Sequence, residues 1–246
     1  MVLIPLKCPH CESTNVRKFG TSQAGKQRYE CKSCKKTFQD DYTYNACEPK
    51  TRSEIYFQTI NGSGVRAIAR SLGIAKDTVI STLRSFEPLL WNVNHSYLEK
   101  LDSGNVTVEI VSATEAEMDE MWSFVHDKSQ QYWLWWAIDH CTGVPLAFHF
   151  GTRQHKNLDE LLKLLEPFNI TKVYADDNFA YGSRIEEDCL VTGKRNTQQI
   201  ERKHLSLRTW CSRLVRKGIR FSKRHDMHRI VVALIINFWF FGRLLG

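Results

Sequence analysis

The sequence predicts an α/β fold in which a mixed sheet follows two small N-terminal modules. Three observations lead to this prediction. Four cysteines in two C-x2-C pairs open the chain, two short amphipathic segments follow, and from about residue 107 strand-like runs alternate with helical ones. Three consecutive strands, a helix and a further strand are the order expected of a mixed sheet. A chain of 246 residues is long enough for one full-sized core and such modules.

The first module is defined by the motifs CPHC and CKSC, which contain Cys8, Cys11, Cys31 and Cys34. Each C-x2-C turn can present two thiolates to one ion, and two turns complete the tetrahedral all-sulfur site that Zn²⁺ favours. A module of this size needs its metal in order to fold, so we expect structural zinc in a ribbon over residues 1–50. The alternative is chance cysteines or a redox pair. The expected small core is aromatic: Phe19, Tyr29 and Phe38.

The second module is a predicted helix-turn-helix over residues 51–92. The apolar positions of residues 64–86 fit two short helices joined at Leu72-Gly73-Ile74, where glycine permits a tight turn. The second helix begins near Lys76, and polar residues near the start of such a helix can reach base edges in the major groove. An ordinary helical hairpin is the alternative. The candidate DNA-contacting residues are Lys76, Asp77, Thr78, Ser81 and Arg84.

A linker is predicted over residues 93–107, and the sheet domain over 108–246. VTVEIV either begins the sheet or leads to it, and residues 157–168 have leucines at helical spacing. The confident strand segments are 115–125, 132–139, 144–150 and 171–175.

A further helix is predicted to begin at Asn196, with Gln199 closing a capping box, and to end near Gly218. Glu201 and Arg208 are seven residues apart and therefore share one face of this helix. Apolar side chains would hold the helix against the sheet. These are Leu205, Leu207, Trp210 and Leu214.

The apolar run at residues 230–241 is too short to span a bilayer, which needs about 20 residues, and it contains Asn237. We therefore expect a C-terminal core helix instead of a membrane anchor. The N-terminus lacks the long apolar segment and cleavage site of a signal peptide. These features predict a cytoplasmic protein.

Charge is distributed unevenly along the chain. Residues 101–193 contain 16 acidic and 6 basic side chains, whereas residues 194–229 contain 2 acidic and 12 basic ones. A self-balancing solvated surface would explain this asymmetry. A polyanion lying beside a carboxylate-lined metal site would produce it as well, because basic residues contact phosphates while carboxylates hold the metal.

Several acids could form such a site. Asp119 lies on the first confident strand, Asp176 and Asp177 end the strand after the helix, and Glu201 lies on the next helix. Two-metal hydrolysis or transfer of a phosphodiester needs carboxylates from several elements to converge. The pattern alone leaves each acid open to a second interpretation as a solvated side chain. Glu117 shares strand parity with Asp119 and is its strongest rival.

Three segments carry a family resemblance: EMDEMWSFV, YADDNFAY and NTQQIERKHLSLR. In that order they resemble the catalytic motifs of transposases of the bacterial insertion sequence one family, which are DDE transposases with a ribonuclease H-like core. The zinc ribbon and helix-turn-helix resemble the DNA-binding part of the same family. The resemblance implies that Asp119, Asp176 and Glu201 bind catalytic Mg²⁺ or Mn²⁺. It also implies that Arg208 is the basic residue two helical turns beyond the glutamate.

This sequence departs from the family pattern at two places. Asp177 and Asn178 stand where the family usually has glycine and tryptophan, which leaves the choice between the two aspartates open. We choose Asp176 because Tyr181 follows it at the distance found in the family motif. His204 stands where asparagine is common. His228 matches a family histidine, for which we favour a packing role over a catalytic one.

The resemblance implies a DNA transposase in which water attacks the phosphodiester at a transposon end, and the freed 3′ hydroxyl then attacks target DNA. Arg202 and Lys203, with neighbouring basic residues that include Arg213 and Arg216, would neutralise the DNA backbone. The implied partners are terminal and target DNA and further copies of the chain on paired ends, without a membrane. Two alternatives remain: a non-catalytic DNA-binding regulator, and a structure-selective nuclease with the same core.

Overall fold

The computed structural model describes residues 5–42, 44–102, 115–176 and 179–245. The chain divides into two compact units. The first contains the residues up to 57 together with 65–82, and the second contains 58–64 together with the chain from residue 83 onward.

The first unit begins with a small antiparallel sheet in the order β1-β2-β3, formed by Val16–Thr21, Gln27–Cys31 and Thr37–Gln39. Phe38 is buried and its ring lies 5.8 Å from that of Tyr29, so these two aromatic residues form the predicted core. Phe19 does not join them, because 43% of its surface is exposed. The prediction for Phe19 is therefore wrong.

Three helices follow: α1 (Thr51–Ile60), α2 (Val65–Leu72) and α3 (Lys76–Ser85). The predicted junction between α2 and α3 is confirmed. Gly73 adopts a φ of +63°, the left-handed region that favours glycine, and so allows the tight turn. Helix α1 was not predicted from the sequence.

The stretch predicted to be a linker differs from that prediction, because His95–Asp102 form a helix, α4. The residues before α4 pair with the large sheet. The N–H of Asn94 donates to the carbonyl of Leu146 at 2.8 Å, and the N–H of Phe148 donates to the carbonyl of Asn92 at 2.9 Å. The segment VTVEIV lies outside the described residues.

The second unit is built on a five-stranded sheet in the order β6-β5-β4-β7-β8. Strands β4, β5 and β6 are antiparallel, whereas β7 runs parallel to β4 and to β8. The sheet is therefore mixed, as predicted. The strands are β4 (Glu115–Val125), β5 (Asp127–Asp139), β6 (Pro145–Gly151), β7 (Lys172–Ala175) and β8 (Leu190–Thr192).

Four more helices belong to this unit: α5 (His155–Leu165), α6 (Phe179–Gly182), α7 (Gln198–Trp210) and α8 (His225–Trp239). A buried cluster joins one face of the sheet to α5 and α6. It contains Met118 and Trp135 from the strands and Leu158, Leu161 and Tyr181 from the helices. Helix α7 lies against the other face of β4, where His204 stacks on Trp136.

Both predicted ends of α7 are wrong. Its N-cap is Thr197 without a side-chain cap, because Asn196 belongs to a preceding 3₁₀ turn and Gln199 donates to the carbonyl of His140. The helix ends at Trp210, eight residues before Gly218. Leu207 and Leu214 are buried as predicted and Trp210 is half-buried, but Leu205 is 62% exposed and does not face the sheet.

Helix α8 confirms the prediction of a C-terminal core helix, since residues 230–237 are all buried. Asn237, the polar residue inside this apolar run, bonds both backbone groups of Trp91, accepting from its N–H at 3.0 Å and donating to its carbonyl at 2.9 Å. Across the described parts of the chain, no helix combines the length and apolar character that a bilayer span requires.

Candidate active site and metal-binding cysteines

Strand β4 directs its acids to opposite faces of the sheet, since successive side chains of a strand alternate. Glu117 and Asp119 point towards α7, where Glu117 bonds the backbone of Ile200. Glu120 points towards α6, where it bonds Tyr181. The strand therefore contacts both the helix that follows Asp176 and the helix that carries Glu201.

Asp119 lies on β4, and Asp176 directly follows the neighbouring parallel strand β7. The pairing of these two strands ends with Glu117 opposite Tyr174. Extending this register by two residues places Asp119 level with Asp176. Adjacent strands are about 4.8 Å apart, so the two residues are neighbours at the point where β7 ends.

Glu201 approaches the same point from the first turn of α7. The pKa of Asp119 is raised to about 7, mainly because the group is buried, and further because of the negative charges of Glu120, Asp176 and Glu201. The N–H of Glu120 donates to Asp119 Oδ1 at 2.8 Å and partly opposes this shift. The structure thus brings the three predicted acids into one electrostatic field.

Asp176 has one oxygen without a protein partner. Its Oδ1 is buried and accepts no hydrogen bond from the described residues. A buried carboxylate oxygen without a donor is costly unless a cation or a proton compensates it. The neighbouring Asp177 lies outside the described residues, so the choice between the two aspartates remains a prediction.

Glu117, the rival of Asp119, is already engaged in a buried network. Its side chain is 2% exposed, accepts the N–H of Ile200 at 3.0 Å and lies 3.0 Å from Nδ1 of His140. The His140 ring stacks on Tyr174 with centroids 4.0 Å apart. Glu117 therefore fixes the beginning of α7, one residue before Glu201. Both of its carboxylate oxygens are used in these contacts, one by Ile200 and one by His140.

Glu120 forms a second network on the opposite face. Its carboxylate accepts the hydroxyl of Tyr181 at 3.0 Å and the guanidinium of Arg153 at 3.0 Å. Tyr181 is fully buried and its pKa is raised well above the ordinary value by burial and by the charge of Glu120. This contact fixes α6, which follows Asp176. The sequence did not predict this contact, although an acid between Met118 and Trp122 on an apolar strand face was the available signal.

His204 and Arg208 lie beside Asp119 on α7. Nδ1 of His204 is 3.4 Å from Asp119 Oδ2, and its ring stacks on Trp136 at 5.6 Å. Burial, together with the charge of Arg208, lowers the pKa of His204 to about 3, so this contact joins a neutral imidazole to a carboxyl group and is not an ion pair. Arg208 Nε is buried without a hydrogen-bond partner among the described residues.

The other basic candidates are in different surroundings. Arg202 is exposed on α7 and Lys203 is half-buried. Arg213 is directed inward, donating to Ser222 Oγ at 3.2 Å and to the Met227 carbonyl, so its contacts are structural. Arg202 is therefore accessible to a ligand, whereas the guanidinium of Arg213 is held inside the protein.

His228 has the packing environment that we favoured for it. Its two ring nitrogens lie 3.1 Å from Ser123 Oγ and 3.0 Å from Ser222 Oγ, and 1% of its surface is exposed. Burial and the charge of Arg213 lower its pKa to about 3. These contacts join α8 to β4 away from the three acids.

On α3, Lys76, Asp77 and Ser81 are exposed, as a recognition surface requires. Thr78 is half-buried, with its hydroxyl 3.5 Å from that of Tyr44. Arg84 is exposed but pairs with Asp226 at 2.8 Å. Three of the five predicted residues are therefore exposed and form no ion pair with any residue that the structure describes.

The four cysteines of the ribbon converge. Their sulfur atoms all lie within 4.8 Å of one another, and Cys8 and Cys31 are fully buried. The Sγ atoms are 3.7 Å apart for Cys8 and Cys34 and 3.5 Å apart for Cys11 and Cys31. Within the described residues, no second group of three histidines, cysteines or acids meets this distance limit.

Comparisons with known proteins cover both units. Residues 111–242 match the family model for the IS1 transposase, and the three acids lie inside this range. Residues 1–35 match the zinc-ribbon model of the InsA N-terminal domain, and residues 42–86 match the helix-turn-helix model of the InsA C-terminal domain.

Curated relatives match about half of the chain. The iso-IS1n protein InsB of Shigella dysenteriae is 46% identical over 121 residues, which cover 49% of this chain and 92% of that protein. The IS1 protein InsB of Escherichia coli K12 is 38% identical over 144 residues, covering 57% and 86%. Among solved structures, the catalytic core domain of BIV integrase superimposes with a TM-score of 0.36 and 16% identity over 55% of this chain and 87% of that one, too low to add to the assignment.

The Glu117 network yields a stability prediction. Replacing Glu117 with leucine leaves the Ile200 N–H without its acceptor, so we expect the free energy of unfolding to fall by about 1–3 kcal/mol. Glu117→Gln retains an acceptor oxygen and should recover most of the loss. Urea unfolding of both variants measures the effect, with the exposed Glu187→Leu as control. Equal stability of Glu117→Leu and wild type would contradict the prediction.

Proposed function

The chain belongs to the IS1 transposase family, and we propose on this premise that it cleaves DNA at transposon ends and joins those ends to target DNA. The observation that carries the proposal is the convergence of Asp119, Asp176 and Glu201 from β4, the end of β7 and α7. Carboxylates from three elements at one point are what a divalent metal site for phosphodiester chemistry requires.

The three acids fit Mg²⁺ or Mn²⁺ in chemistry and in charge. Their donors are all oxygens, which these hard ions prefer. A cation would compensate the unpaired buried oxygen of Asp176. It would also favour the charged form of Asp119, whose pKa is raised by burial and further by the neighbouring acids. When bound, two such ions would lower the pKa of water and stabilise charge on the leaving oxygen of the phosphodiester.

The surrounding side chains have supporting roles in this proposal. Arg208 would place a positive charge beside the reacting phosphate, because it lies near Asp119. Burial and the charge of Arg216 lower the pKa of Arg208, and the charge of Asp119 opposes this shift in part. Arg202 and Lys203, on the outer part of the same helix, would contact the DNA backbone. His204, neutral and stacked on Trp136, would support Asp119 without adding charge.

The first unit would recognise the DNA. In a helix-turn-helix the second helix enters the major groove, and here Lys76, Asp77 and Ser81 are exposed at the start of α3. Thr78 and Arg84 would contribute less, because each is engaged within the protein. The four ribbon cysteines would hold a structural Zn²⁺, since four thiolates close its tetrahedral shell.

The proposal predicts that Asp119→Ala, Asp176→Ala and Glu201→Ala each abolish Mg²⁺- or Mn²⁺-dependent cleavage and joining. DNA binding should be retained, because none of the three acids supplies a positive charge to the phosphates and loss of a negative charge cannot weaken that attraction. The measurement is a strand-transfer assay on the element's own terminal DNA, with binding followed separately. Asp188→Asn, an exposed acid of the same unit, is the control.

Three results would contradict this proposal. Activity in all three alanine variants would reject the metal site. An inactive wild type that represses from a specific site would support the regulator, and cleavage of branched DNA without joining would support the nuclease. Asp177→Ala should be tolerated far better than Asp176→Ala, and the reverse result would move the assignment by one residue.

The ribbon yields a metal prediction. Purified protein should contain zinc in a ratio of one per chain, and Cys31→Ser should lose it together with specific DNA binding. Cys47→Ser should retain both, because Cys47 is exposed and is not one of the four clustered cysteines. Elemental analysis of the folded proteins measures zinc directly. Folded wild type without zinc would reject the metal assignment.

A further inference from the structure

A basic loop, residues 215–224, connects the 3₁₀ turn after α7 to helix α8. It contains five basic side chains and no acidic one: Arg216, Lys217, Arg220, Lys223 and Arg224. The loop begins with a turn in which the N–H of Gly218 donates to the carbonyl of Val215 at 3.2 Å. Ile219 follows this turn.

The base of the loop is fixed by a buried polar network. The carbonyl of Ser222 accepts the N–H of His126 at 2.7 Å, and its hydroxyl lies 3.0 Å from His228 Nδ1. His228 in turn contacts Ser123 of β4, and Arg213 donates to the Ser222 hydroxyl. The loop is therefore anchored to the strand that carries Asp119.

Aromatic contacts hold the loop along the same strand. The guanidinium carbon of Arg216 lies 4.9 Å from the centre of the Trp122 ring, three residues after Asp119. The ring of Phe221 lies 5.2 Å from that of Phe124. Arg216 is also near enough to Arg208 for its charge to lower the pKa of that residue. The loop thus runs along β4 beyond Asp119, in contact with Trp122 and Phe124 on the face opposite Asp119 and with Arg216 near Arg208 of α7.

Ile219 is the most exposed large apolar residue of the described chain, with 91% of its surface accessible. Single exposed aliphatic residues are common and by themselves indicate nothing. Ile219 differs because its loop is anchored, runs along the strand that carries Asp119 and carries cations on either side, Lys217 and Arg220. An apolar side chain between two cations is complementary to a nucleic-acid duplex, which has phosphates on its surface and stacked, largely apolar bases in its interior.

Resting on the proposed function, we propose that the basic loop inserts Ile219 as a wedge between base pairs of the duplex beside the cleaved phosphate. Apolar wedges of this kind partly unstack a base step and kink the duplex, while neighbouring basic residues contact phosphates. The partner is DNA instead of a second copy of the chain, because two copies of this loop, each bearing five positive charges, repel each other.

The test uses duplexes that carry the element's terminal sequence, with 2-aminopurine at successive positions around the cleavage site. Binding of the full-length wild type, with divalent ions chelated, should raise the fluorescence severalfold at one step. Ile219→Ser should lose this increase while still binding, and Ile219→Leu should retain it. Leu244→Ala, also an exposed aliphatic residue, should behave like wild type.

Three outcomes would contradict the proposed wedge. The first is an Ile219→Ser protein that gives the wild-type fluorescence increase at the same step, and the second is a wild type that gives no increase. The third is a loss of self-association by Ile219→Ser in sedimentation without DNA, which would make a second copy of the chain the partner. Failure of the proposed function is recognised separately, as a wild type that yields no cleaved or joined product in the presence of Mg²⁺ or Mn²⁺.

Discussion

The side-chain alternation of β4 is the constraint on which the second unit depends. Within four residues the strand presents Glu117 and Asp119 to one face of the sheet and Glu120 to the other. Glu117 bonds the start of the helix that carries Glu201, and Glu120 bonds Tyr181 in the helix that follows Asp176. Buried carboxylates are costly unless they are hydrogen-bonded, and both of these are. One strand thereby fixes the two elements that must converge on its own central aspartate.

This arrangement concentrates negative charge around Asp119, and the protein offsets it only in part. The adjacent histidine, His204, is kept neutral by burial, and Arg208 is the basic side chain whose charge reaches Asp119. The raised pKa of Asp119 and the unpaired oxygen of Asp176 are the two signs of incomplete compensation. Departures of this kind from a fully compensated core are expected at functional sites.

The sequence predicted strands β4 to β7 and the mixed character of the sheet, because side-chain alternation and the order of elements along the chain are local properties. It did not predict β8, and the choice of the three acids rested on the family resemblance. It could not separate Glu117 from Asp119, since both share one strand face and only the position of Ile200 distinguishes them. It placed the end of α7 at Gly218, because nothing local reveals that Arg213 turns inward to Ser222. It also missed α1 and α4. The exposure of Ile219 also depends on tertiary anchoring and has no local signal.

We propose that Asp119, Asp176 and Glu201 together form one cation site. Low-temperature electron paramagnetic resonance of Mn²⁺ added to the DNA-free protein tests it most directly, because bound ions, and coupling between two of them, are observed without any reaction. We expect a bound-Mn²⁺ signal in wild type that is lost or strongly weakened in each of the variants Asp119→Asn, Asp176→Asn and Glu201→Gln. A signal that survives in all three variants, or none in wild type, would contradict it.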